Sequence, residues 1–148
     1  MTDDRLQIRS LTELDVDGIV RIVEKTRQRY EPDLWEDRVT YDLRRDPEAS
    51  VVAEAGGEVV GFMLGDLRSG EFGLDEASGW IEVLGIDPDH AGRGIGRAMG
   101  EEMLARYRQR GVRRVRTMVD QSMPDVEAFF ARLGFAPDSL RPYVKELS

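Results

Sequence analysis

The chain has 148 residues, enough for one domain with its own core, and residues 1–148 are expected to form a single domain. It has no cysteine, which excludes disulfides, a thiol nucleophile and a cysteine metal site; its one histidine, His90, argues against a histidine triad or zinc cluster, so no metal is expected. The 21 basic and 29 acidic residues give a net charge of −8, which repels nucleic-acid backbones, favours cationic partners, or simply keeps the protein dispersed in water.

Met1-Thr2-Asp3-Asp4 lacks the basic and apolar regions of a signal peptide, and no apolar run is long enough for a membrane span. A cytoplasmic protein without a membrane partner is therefore expected. Leu6, Ile8 and Ser10 alternate as in a first strand. Thr12 or Asp15 can cap a helix whose buried stripe is Val16, Ile19, Val20 and Val23. Pro32 breaks it. Asp33 and Glu36 form a candidate capping pair for a second helix, with Trp35, Val39 and Leu43 as its apolar ridge and Pro47 at its end. Val51-Val52-Ala53 and the run from Val59 to Leu64 bracket Gly56-Gly57 and predict a β-hairpin. Residues 68–78 have no clear period and read as a loop.

The run from Trp80 to Ile86 predicts a buried strand, ended by Asp87-Pro88-Asp89 because Pro88 has no amide hydrogen. Gly92, Gly94 and Gly96 follow at alternate positions. A helix starts at once, with Ile95, Ala98, Met99, Met103 and Tyr107 on one face and Gly111 as its C-terminal cap. Val115, Thr117 and Val119 alternate as a further strand. Pro124 suits the first turn of a last helix, on which Val126, Phe129, Phe130 and Leu133 share a face, and Gly134 ends it. Residues 135–147, interrupted by Pro137 and Pro142, supply one or two final strands, with Tyr143-Val144-Lys145 the best segment.

A strand, a glycine turn and a helix start form an anion site. The first helical turn has amide hydrogens without internal acceptors and carries the positive end of the helix dipole. Glycines leave those amides uncovered, and Arg93 and Arg97 add full charges nearby. Arg97-Ala98 excludes a P-loop, which needs Lys-Ser or Lys-Thr there. A dinucleotide fingerprint fails at Arg97 or Met99, depending on the glycine it starts from.

Ile86-Asp87-Pro88 and Gly92-Arg93-Gly94-Ile95-Gly96 resemble the coenzyme-binding motif of the GNAT superfamily of acyl-coenzyme A-dependent N-acetyltransferases. In that motif Gln or Arg, two residues, Gly, one residue and Gly or Ala follow a strand ending in V-x-P. Ala91 stands where the family has Gln or Arg. Phe129 to Phe135 resembles a second family motif, F-Y-x-x-x-G-F, but Phe130 replaces the tyrosine that many members use as a general acid. Met123 replaces a frequent asparagine. The resemblance implies an α/β (α+β) fold of GNAT type, with a central mixed, mostly antiparallel sheet flanked by about four helices. It implies acetyl-CoA as co-substrate, held by the turn Ala91, Gly92, Arg93, Gly94, Ile95, Gly96 and Arg97, by the strand edge at Leu84, Gly85 and Ile86, and by Phe129 and Phe130. The two phenylalanines also fit a plain core role.

Acyl transfer to an amine needs proximity, an oxyanion donor and a neutral amine. In the family the exposed strand backbone pairs with the pantetheine arm, and one amide polarises the acetyl carbonyl. Glu82 is the candidate catalytic base, because an unpaired carboxylate in an apolar strand would have a raised pKa. Alternation puts it on the face of Leu84 and Ile86. A strand end with Glu82 in water is the competing reading, and Asp120 and Tyr143 are weaker candidates. Glu31, Asp33, Glu36, Asp37 and Asp42 on the second helix either attract an amine or form a solvated face. The acceptor is expected to be a small-molecule or peptide amine, a homodimer is left open, and a coenzyme A-binding sensor with little catalysis is the alternative function.

Overall fold

Gly56 and Gly57 both hold positive φ, 60° and 79°, the conformation that lets a two-residue turn follow the twist of a hairpin. Around it fold β2 (Val51–Ala55) and β3 (Glu58–Arg68). A computed structural model of the chain describes residues 5–73 and 76–148. They fall into two compact units, Met1–Met118 and Val119–Ser148.

The first unit contains β1 (Gln7–Ser10), β2, β3, β4 (Ser78–Ile86) and β5 (Val115–Thr117), in that spatial order. The first four strands pair antiparallel, and β4 pairs β5 in parallel, so the sheet is mixed and mostly antiparallel. α1 (Val16–Arg27) and α2 (Pro32–Arg45) precede the hairpin, and α3 (Ile95–Gln109) follows β4.

Strand alternation sorts side chains onto two faces. Phe62 and Leu64 share one cluster with Ile19, Ile22 and Val23 of α1 and Trp35 and Val39 of α2, all buried. A Cβ on Gly61, one residue from Phe62, would instead stand 2.8 Å from Ile95 and 3.0 Å from Met99 of α3. α1 and α2 therefore cover one face of the sheet and α3 the other. Burying a side chain the size of Ile95 or Met99 contributes about 1.5–3 kcal/mol, which seats the start of α3 firmly on β3.

Local chemistry explains most boundaries. Thr12 and Asp15 form a reciprocal capping box at the 3-10 turn that leads into α1. The pair Asp33 and Glu36 does not cap α2. Pro32 fits the first helical position, so the helix starts one residue before Asp33, with Glu31 at its N-cap. β5 stops at Thr117, short of Val119.

The second unit holds α4 (Pro124–Arg132), where Phe130 packs edge-on against Phe129 at 5.0 Å and Phe135 at 5.2 Å. No strand forms after α4 among the described residues, contrary to expectation. Pro137 and Pro142 cannot donate to a ladder, and Tyr143 and Val144 are almost fully exposed, so no apolar burial favours pairing there. No helix among the described residues is long and apolar enough to cross a membrane.

Candidate active site

β4 keeps β3 on one edge along its whole length but loses β5 on the other partway. Its parallel ladder with β5 covers only Gly79, Trp80 and Ile81, and the Thr117 hydroxyl donates to the Ile81 carbonyl at 2.8 Å where that ladder ends. From Glu82 to Ile86, no described strand pairs on that edge. Opposite β3, the register slips: Gly65 faces Ile81 and Leu64 faces Val83, so Glu82 is the extra residue of a β-bulge. Glu82 is exposed as a residue although its side chain keeps only 24% exposure, so the exposure sits on its main chain.

The bulge reverses the expected orientation of Glu82. It leaves Leu84 opposite Met63 and Ile86 opposite Gly61, on the α3 side, and turns the Glu82 carboxylate toward α2. Glu82 is not an unpaired carboxylate either. Arg68 of β3 donates to Oε1 at 2.7 Å, and Arg38 of α2 donates to Oε2 at 3.1 Å.

These contacts belong to a chain of charges of alternating sign. Arg38 also donates to Asp42 at 3.0 Å. Arg68 lies 3.6 Å from Asp66, and Arg45 lies 3.1 Å from the same Asp66 oxygen. Arg38, Asp42 and Arg45 fall on one face of α2 at i, i+4 and i+7, while Asp66 and Arg68 share a face of β3. Burial pushes the Asp42 carboxyl above its usual range, against the opposing pull of Arg38. Asp33, Glu36 and Asp37 face water and Glu31 is half-buried, so Asp42 is the member of that acidic group that is fully buried. Sequence reasoning missed Arg38, Arg45, Asp66 and Arg68. The available signal was Asp66, a second carboxylate set into an apolar strand.

Gly85 is explained from the core side. A Cβ there would stand 2.5 Å from the Phe62 ring, and that ring packs edge-on against Trp35 at 5.7 Å. The strand ends at Asp87, which is buried. Its carboxylate accepts from the Asp89 amide at 3.0 Å and from the Lys25 ammonium at 3.2 Å. The Asp87 amide donates to Val60 at 2.9 Å. Burial alone would raise the Asp87 pKa, but the Asp89 amide and Lys25 outweigh it and hold the carboxyl below its usual range. α1 and β3 thereby fix the exit of β4.

The turn that follows holds its backbone open. Gly92 has φ 81° and Gly94 φ 73°, with a residue of ordinary φ between them. Such alternation points successive amides into one concavity. The Ala91 amide donates to Pro88 at 3.3 Å, and the Ala98 amide to Gly94 at 3.0 Å. Between them, none of the six amides from Gly92 to Arg97 has an acceptor among the described residues. Ile95 and Gly96 are buried, whereas Ala91, Gly92, Arg93, Gly94 and Arg97 are exposed. The Arg93 guanidinium lies 3.1 Å from His90 Nδ1, and Arg97 pairs with Glu101 at 2.9 Å. A cradle of free amides at a helix start fits a diphosphate. Four residues of strand, Val83 to Ile86, about 13 Å at 3.3 Å per residue, and the turn from Asp87 to Ala91 separate this cradle from the bulge at Glu82.

Residues 16–135 match the model of the acetyltransferase (GNAT) family. The chain is 34% identical over 90 residues to a mycothiol acetyltransferase of Thermobispora bispora, covering 61% of this chain and 30% of that protein. It is 27% identical over 133 residues to an acetyltransferase of Pectobacterium atrosepticum, covering 88% of this chain and 87% of that protein. This chain thus spans under a third of the length of the mycothiol enzyme it matches. Among solved structures, an aminoglycoside N-acetyltransferase in complex with CoA superposes with a TM-score of 0.81 at 16% identity, over 96% of this chain and 95% of that one.

Proposed function

The chain belongs to the GNAT family of acetyltransferases, and on that premise we propose that it moves an acetyl group from acetyl-coenzyme A to a primary amine of a small molecule or peptide, in a ternary complex in the cytoplasm. The observation that carries this reading is the run of six amides from Gly92 to Arg97 that have no acceptor among the described residues, reached by a strand whose edge no described strand pairs from Glu82 onward.

Acetyl-coenzyme A, when bound, supplies the thioester that the amine attacks. The amides of residues 92–97 hold the pyrophosphate, with Arg93 and Arg97 beside them. The open edge at Leu84, Gly85 and Ile86 aligns the pantetheine arm. The exposed main chain at the bulge is suited to donate to the acyl oxygen. Charge that develops there meets a fixed dipole rather than reorganising water.

The new N–C bond forms as the C–S bond breaks, and the amine proton must leave. A free alkylamine of pKa about 10.4 needs about 4–5 kcal/mol to deprotonate at neutral pH. Glu82 takes that proton, directly or through one water. Its two oxygens offer roughly four acceptor sites, of which Arg38 and Arg68 use two. The thiolate takes its proton from water or from the ammonium, since Phe130 has no hydroxyl to give.

That same Phe130 favours a second reading, a coenzyme A-binding sensor with little catalysis. Thioester consumption over a panel of small and peptidic amines separates the two. Turnover on at least one amine is expected; coenzyme binding without turnover on any of them would favour the sensor.

A further inference from the structure

The charge chain beside Glu82 is sorted by depth. Asp42 and Asp66 keep 3% and 4% of their side-chain exposure, whereas Arg45 keeps 46%, and Arg38 and Arg68 stay partly exposed. These two carboxylates are buried, Glu82 keeps about the same partial exposure as Arg38 and Arg68, and the Arg45 guanidinium reaches furthest into water. The wall at the bulge sets three guanidiniums against three carboxylates, and Arg45 is its most exposed charge. Each guanidinium is held in place from below. Asp42 and Glu82 fix Arg38, Asp66 and Glu82 fix Arg68, and Asp66 fixes Arg45. Aromatic faces support two of them: Arg45 lies 5.7 Å from the Tyr41 ring centroid and Arg68 lies 5.4 Å from that of Trp80. A surface depression beside Arg45 is lined by Asp37, Thr40, Tyr41, Arg44 and Arg45. Phe72, exposed and held at φ 54°, packs 6.1 Å from Trp80.

Asp42 and Asp66 are buried against Arg38 and Arg45, which leaves a fully cationic acceptor only the Glu82 carboxylate on this wall. A pre-positioned guanidinium with exposed donors instead matches a carboxylate, and a fixed fork loses little entropy on binding one. We propose that the acceptor is a small primary amine that also carries a carboxylate, and that Arg45 and Arg68 select it by binding that carboxylate while Glu82 faces the amine. Arg45 and Arg68 are specificity-determining residues in this arrangement and take no part in proton transfer. The inference rests on the acetyl-transfer reading for its substrate, but not for its binding site.

The test uses matched pairs of primary amines, such as phenylalanine with phenethylamine and lysine with cadaverine. Binding to the protein–coenzyme A complex is measured by calorimetry, and acetyl transfer from acetyl-coenzyme A is measured in parallel. The wild type should bind the carboxylated member of at least one pair about tenfold more tightly. In R45Q and R68Q that ratio should fall toward one. R45Q, at the more exposed position, serves if R68Q fails to fold. A wild type that binds neither carboxylated member more tightly than its partner overturns the inference, whether or not acetyl is transferred. Equal ratios in the wild type and in R45Q overturn it too. A carboxylate preference without transfer to any amine would contradict the proposed reaction and leave the anion site standing.

Discussion

Arg68 donates to Glu82 at 2.7 Å because one extra residue in β4 turns that carboxylate toward α2. The pair ties the bulge to β3, and Arg38 ties it to α2 at 3.1 Å. Glu82 is thus a fixed anion beside the exposed main chain of β4. E82Q keeps the shape and removes the proton acceptor. It should lower kcat by about a hundredfold, alter the rate–pH profile and leave coenzyme A affinity unchanged, as read from steady-state kinetics and calorimetry. An unaltered profile would remove Glu82 as the base.

Gly85 and Phe62 make a separate, purely mechanical prediction. A methyl group at residue 85 would overlap the Phe62 ring, which packs edge-on against Trp35, and would touch Ile22 at 3.4 Å. G85A should destabilise the fold by about 1–3 kcal/mol, the usual cost of overpacking a filled core. Urea denaturation measures this directly. F62L together with G85A should recover part of the loss by relieving the overlap.

Asp87 gives a pH dependence with a definite sign. Its folded pKa lies below the usual carboxylate value, near 3.9 in an unfolded chain. Its contribution is therefore present above about pH 4 and is lost as pH falls through the lowered folded value. D87N should be less stable than the wild type at pH 7, by about 1.5–3 kcal/mol for its hydrogen bonds as a charged group. The gap should close in acid. Thermal unfolding between pH 2 and 7 checks both parts, and a constant gap across that range would contradict the assignment.

Periodicity and punctuation made most of the fold legible. The stripe of α1, the Gly-Gly hairpin and the helix after Gly94 all follow from local chemistry, and the structure has each of them. What alternation could not show was the slip between Leu64 and Gly65, which depends on how two strands meet rather than on either one alone. For that reason Glu82 was expected on the face of Leu84. The same holds for Arg38, Arg45, Asp66 and Arg68, which lie up to 44 positions from Glu82 in the chain and become a cluster only when α2 packs on the sheet. The shape of the glycine turn was legible because it is a main-chain property, which glycines announce directly. The final strands were overread from the apolar residues of 143–147, where no partner offsets the prolines.

The central claim is that the amides of residues 92–97 grip the pyrophosphate, and amide hydrogen exchange with and without coenzyme A tests it at those atoms. In the free protein these six amides have no acceptor among the described residues and should exchange fast; with saturating coenzyme A they should become protected. Calorimetric binding of coenzyme A with no change in exchange at residues 92–97, and protection elsewhere, would contradict it.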